Sequence, residues 1–145
     1  MSNSLFSSEW IASVYSDLWS LHLAMIGCLV SVFTLLYSFI ISKRENLKLY
    51  AEQISKDGRN PTVIQKQQFA VNYIKRMSRV ANYCLALLLC NILLSIGNWI
   101  GMKVLDGLAQ NIIFILISFF TVVVFGFVIY LCIKVFMQYL SDIKI

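Results

Sequence analysis

The chain has 145 residues, 59% of them hydrophobic and 13% charged, with a mean hydropathy of +0.77. A water-soluble domain of this size needs more polar side chains to cover its surface, and a single Pro with 6 Gly argues against a turn-rich β architecture. The net charge is +5, and nine of the 12 basic residues lie between Lys43 and Arg79, so the excess is a block rather than a general basicity.

The N-terminal stretch MSNSLFSSEWIASVYSDLW lacks the positive n-region of a secretory signal. Ser7 is placed to cap a helix that starts near residue 8, with Phe6 and Ile11 as its hydrophobic staple. Leu21 to Ser42 then runs 22 residues without Lys, Arg, Asp or Glu. About 20 apolar residues suffice for a helix to cross a hydrocarbon core of about 30 Å, so this is a first span. The helix is expected to continue past the span to about residue 56. Gly58 suits the left-handed position after a helix end, Asn60 an N-cap and Pro61 the first residue of the next helix. Residues 43–79 therefore read as a helical hairpin stalk, turning at 57–60, with apolar stripes Leu47, Tyr50, Ile54 and Ala70, Ile74, Met77 on its two arms.

Val80 to Met102 is a second uncharged run of 23 residues, and Asn111 to Ile133 a third, also of 23. Residues 103–110 form the loop between them and 134–145 the tail. The predicted fold is one all-α integral membrane domain, 1–145, with three transmembrane helices. The stalk carries nine positive and three negative residues, which places it in the cytoplasm, the N-terminus outside and the C-terminus inside. Trp10, Trp19 and Trp99 would lie near the outer interface.

The first helix carries a seam of small and polar residues in heptad spacing: Ser13, Asp17, Ser20, Ala24, Gly27, Ser31, Thr34 and Ser38. Two readings compete. Small residues let helix backbones approach closely; alternatively the hydroxyls line a wet path in an oligomer, with Asp17 at its outer mouth. Both require this face to avoid lipid. The second span holds the stripe Cys84, Leu88, Asn91, Ser95 and Asn98, whose amides need partners on the first helix or on a neighbouring subunit. The third span has only Asn111, Ser118 and Thr121 as polar residues, and is expected to form the lipid-facing wall around an innermost first helix.

His22, the sole histidine, lies near the outer end of the first span and off the seam; it reads as structural, with a pH sensor as the alternative. One imidazole cannot make a metal site. Cys28, Cys84, Cys90 and Cys132 lie in apolar runs without metal-ligand spacing, so no metal or cofactor is expected. No catalytic motif is present, so the chain does not read as an enzyme.

A body of this kind, with the basic helical stalk at 43–79, resembles in architecture the small multi-span membrane effectors of bacterial antiviral defence systems. That resemblance implies a bacterial inner (plasma) membrane location and opening of the membrane by a cytosolic signal. No family residues transfer with it. The leading expectation is a homo-oligomer that conducts ions or perturbs the membrane, with Asp17, Ser20, Gly27, Ser31, Thr34 and Ser38 as its seam and Asn91, Ser95 and Asn98 as inter-helix contacts. The stalk would receive a cytosolic protein partner. The alternative is a non-conducting anchoring subunit of a larger complex. A third reading has Lys66, Lys75, Arg76 and Arg79 binding anionic lipid or nucleic acid, the latter disfavoured because aromatic residues are not interleaved with the charges.

Overall fold

The computed structural model describes residues 8–57, 60–103 and 107–143, and all of them except Asn60 are α-helical. Helix α1 spans Ser8–Asp57, α2 Pro61–Lys103 and α3 Gly107–Ile143. All three are long and apolar enough to cross a membrane. At 1.5 Å per residue, their 50, 43 and 37 residues reach about 75, 65 and 55 Å, so each outruns the hydrocarbon core. Asn60 caps α2: the Thr62 amide donates to its side-chain oxygen at 3.0 Å, and Val63 and Ile64 donate to its carbonyl, both at 3.1 Å. The expected roles of Ser7, Phe6 and Gly58 fall on residues outside those described.

The chain forms two compact units, one of residues 1–30 with 85–145 and one of 31–84. In the first, three helices each give one stripe to a common core. From α1 come Ile11, Tyr15, His22, Met25 and Leu29; from α2 Asn91, Ser95 and Asn98; from α3 Asn111, Phe114, Ile117, Thr121, Val124, Val128 and Leu131. Side-chain contacts fix the register. Tyr15 meets Phe114 edge-on at 5.3 Å and His22 meets Thr121, so α1 and α3 run parallel. Tyr15 also meets Asn98 while His22 meets Asn91, so α2 runs antiparallel to α1.

This register adds to two expectations. His22 is level with the middle of the second and third apolar runs, not with their outer ends, because Asn91 and Thr121 sit near the centres of 80–102 and 111–133. The third helix, expected as the lipid-facing wall, also contributes to the core. It buries one stripe in the core and turns residues such as Phe119, Val122 and Phe127 outward.

In the second unit the arms of α1 and α2 lie side by side. Leu36 and Ile40 are buried on one arm; Ala70, Tyr73, Met77, Val80, Ala81 and Cys84 are buried on the other. Lys43 lies 5.4 Å and Arg76 5.9 Å from the Tyr73 ring centroid, so the ring is held by two cations.

Cys28 and Cys132 bring their sulfurs to 3.8 Å, joining α1 to α3 in the first unit. A disulfide needs about 2.05 Å, a small side-chain adjustment. Treatment with a thiol oxidant is expected to join them within one chain, each thiol giving up its hydrogen to the oxidant. Peptide mapping of the oxidised protein checks this. A link from Cys28 to Cys90, or none at all, would contradict the α1–α3 packing.

Candidate polar network and helix seam

Two sets of polar side chains occupy these helices, on opposite faces of α1. The core positions Ile11, Tyr15, Leu18, His22, Met25 and Leu29 follow a heptad rhythm. The seam residues Ser13, Asp17, Ser20, Ala24, Gly27 and Ser31 follow the same rhythm two residues later. Two residues are about 200° of helix rotation, so the seam points away from the core.

In the first unit Ser13, Asp17, Ser20, Ala24 and Gly27 are all exposed, and in the second unit Ser31, Thr34 and Ser38 are too. Ser20 folds its hydroxyl back onto the Ser16 carbonyl at 3.2 Å. A Cβ placed on Gly27 would meet nothing within 4 Å. The small residues of this seam are therefore not what lets α1 approach α2 or α3 in the first unit. Close packing within the chain is not their role there.

The depth of Asp17 follows from the register. It precedes His22 by five residues, about 7.5 Å along the axis. From Asn91, level with His22, the apolar run of α2 continues in the same direction to Met102, about 16 Å. Asp17 therefore stands level with the uncharged parts of α2 and α3, and it is exposed.

The buried set is built around His22, which is 0% exposed. Asn91 grips it twice: its amide nitrogen donates to the His22 carbonyl at 3.1 Å, and its oxygen meets Nδ1 at 2.5 Å. Nε2 faces the Thr121 hydroxyl at 3.3 Å, and that hydroxyl lies 2.7 Å from the Ile117 carbonyl one turn back. One helical step away, Asn98 donates to the Tyr15 carbonyl at 3.0 Å. Ser95 is buried on the same stripe. No Asp, Glu, Lys or Arg is buried among the residues whose burial is described.

The structure thus brings Asn91, Ser95 and Asn98 into the core and leaves the six seam residues outside it. Lys66, Lys75, Arg76 and Arg79 are exposed in the second unit, where Lys43, Asn46, Tyr50, Thr62, Gln65 and Lys66 line an open groove of about 410 Å³. Thr121 and Tyr15 are the members that sequence reasoning did not connect. A usable signal exists in the heptad: His22 shares the register of Tyr15, Met25 and Leu29, and a polar residue on an apolar stripe needs a partner. Comparison with known families, curated proteins and solved structures gives no match, so no relative supports the architectural resemblance to antiviral effectors.

Proposed function

We propose that the chain is an integral membrane protein that assembles with copies of itself through the outer face of α1, the assembly conducting ions or perturbing the membrane. The observation that carries this reading is Asp17: an exposed carboxylate level with the uncharged runs of α2 and α3, at one end of a row of hydroxyls and glycine. A carboxylate at the centre of a span costs about 2.5–3.5 kcal/mol against lipid, and part of that cost falls on Asp17. Protein from a neighbouring copy, or water in a path between copies, removes that cost. The core stripe of α1 is already filled, so the seam is the face left for assembly. The second and third helices, whose outward residues are largely apolar, then face the acyl chains. The basic block from Lys43 to Arg79 supports a cytoplasmic stalk with the N-terminus outside, and it would be the surface where a cytosolic partner acts.

Gly27→Leu is the sharpest probe, because a Cβ at this position meets nothing within 4 Å among the described residues. Its folding should be unaffected. Native mass spectrometry from nanodiscs is expected to show a wild-type oligomer that Gly27→Leu reduces at least tenfold in population. If Gly27 faces lipid, leucine will leave the subunit count unchanged, and the reading is lost. Proteoliposome flux then tests conduction: Ser31→Leu with Thr34→Leu should suppress it, and unchanged flux rules out a path along the seam.

A further inference from the structure

The His22 ring has two nitrogens, and the bundle dictates what each one meets. The His22 carbonyl can only accept, so the Asn91 group 3.1 Å from it is the amide nitrogen. The amide oxygen therefore faces Nδ1. That oxygen also only accepts, so Nδ1 carries a hydrogen in every state. Nε2 has a different neighbour. The Thr121 hydroxyl owns one hydrogen and has two acceptors in reach, Nε2 at 3.3 Å and the Ile117 carbonyl at 2.7 Å.

Two arrangements satisfy this set of atoms. With one hydrogen on the ring, the hydroxyl donates to Nε2. With two, Nε2–H donates to the hydroxyl oxygen, and the hydroxyl hydrogen turns to the Ile117 carbonyl. Rotation about one C–O bond exchanges them, and no helix has to move. In both arrangements every hydrogen of the ring and of the hydroxyl has an acceptor. A buried network normally matches one protonation state and leaves a group unpaired in the other, at about 1–3 kcal/mol. This one does not.

We propose that His22 is a proton-binding site of the three-helix core, wired to hold either one or two hydrogens on its imidazole. Uptake transfers a proton from hydronium to the Nε2 lone pair, leaves water, and adds one positive charge at the level where the second and third apolar runs are centred. The surroundings neither neutralise nor oppose that charge with a full charge of their own. On α1 the titratable neighbours are Tyr15, one heptad before, and the Asp17 carboxylate and Cys28 thiol, both on exposed positions. On α2, Asn91, Ser95 and Asn98 do not titrate, and Cys84 lies one heptad from Asn91 on the buried stripe. On α3 the buried stripe around Thr121 holds Ile117 and Val124, which do not titrate. The proposal does not depend on self-assembly, since every atom in it belongs to one chain.

The chain has one histidine, so isotope labelling of histidine reports a single site. The experiment follows the imidazole ¹⁵N resonances of the full protein in lipid nanodiscs between about pH 4 and pH 9. The expected result is the Nδ1–H form at high pH and a second hydrogen on Nε2 at low pH, with helicity and the native fold retained. Thr121→Val should remove the hydrogen-bond signature of Nε2 in both forms, and Thr121→Ser should keep it. An Nε2–H form at high pH, an unchanged Nε2 across the range, or collapse of the bundle on protonation would each overturn the proposal. If Thr121→Val does not fold, the wild-type titration still decides.

Discussion

Asn91→Leu is expected to lower the stability of the helical core by about 1–3 kcal/mol, although leucine is the better residue for a membrane span on any transfer scale. The substitution removes both contacts to His22 at once, the bond to its carbonyl and the pairing with Nδ1. The carbonyl keeps its own helical bond. Among the described residues Nδ1–H has Asn91 as its acceptor, and it is enclosed in a site where His22 is 0% exposed. Reversible unfolding in mixed SDS and lipid micelles measures the loss. The second arm is His22→Leu with Asn91→Leu, which takes away the ring that would be left unpaired. A smaller combined loss than the sum of the two single losses marks the pair as coupled. An Asn91→Leu variant as stable as the parent would mean that the amide faces a different partner.

The second large effect concerns two glycines four residues apart on α2. A Cβ added to Gly101 would lie 2.7 Å from the Tyr15 hydroxyl oxygen, with ring carbons at 3.2 and 3.3 Å. The ring cannot swing clear, because Tyr15 is 0% exposed and packs against the edge of Phe114. Gly101→Ala should therefore cost about 1–3 kcal/mol through overpacking. At Gly97 the nearest atom would be the Ile117 Cδ1 methyl at 3.7 Å, an ordinary contact. Gly97→Ala should be neutral or gain up to about 1 kcal/mol from helix propensity. Tyr15→Phe supplies the control. Among the described residues the Tyr15 hydroxyl has no hydrogen-bond partner, so its removal should cost nothing, and it should soften the Gly101→Ala penalty. Unfolding midpoints of the four variants decide; equal penalties at Gly97 and Gly101 would refute the packing.

Much of the architecture is legible in composition. Runs of 22 and 23 uncharged, largely apolar residues are long enough to cross a membrane as helices, and the helix start at Asn60-Pro61 follows from backbone chemistry at those two residues. The face of α1 that meets its neighbours was harder to read. The seam is conspicuous because hydroxyls are unusual in a span, whereas the stripe that packs is made of Tyr15, Met25 and Leu29, which look like any other apolar residues. Heptad spacing gives two candidate faces and no rule for choosing between them. The depth of His22 relative to the other two helices is not legible for a related reason. Uncharged runs define each span separately, and the first run, 21–42, is displaced along α1 from the level that the contacts with α2 and α3 establish. Vertical alignment is a tertiary fact, set by which side chains can bond, and a single chain read residue by residue does not contain it.

The two asparagine bonds to α1 have a consequence for folding. Asn91 and Asn98 are seven residues apart, and so are the carbonyls they reach, those of His22 and Tyr15. Slippage of α2 by one heptad would bring Asn98 to the His22 carbonyl and Asn91 to that of Leu29, and both bonds could reform, since every residue has a carbonyl. Amides alone would thus permit a ladder of near-equivalent misalignments. The imidazole does not forbid it, because Asn98 would take the place of Asn91 beside His22; Tyr15 does, because it loses Gly101, the position that makes room for its hydroxyl. One aromatic side chain acts as the key that selects one alignment from the ladder, and a variant in which Tyr15 is small should populate more than one.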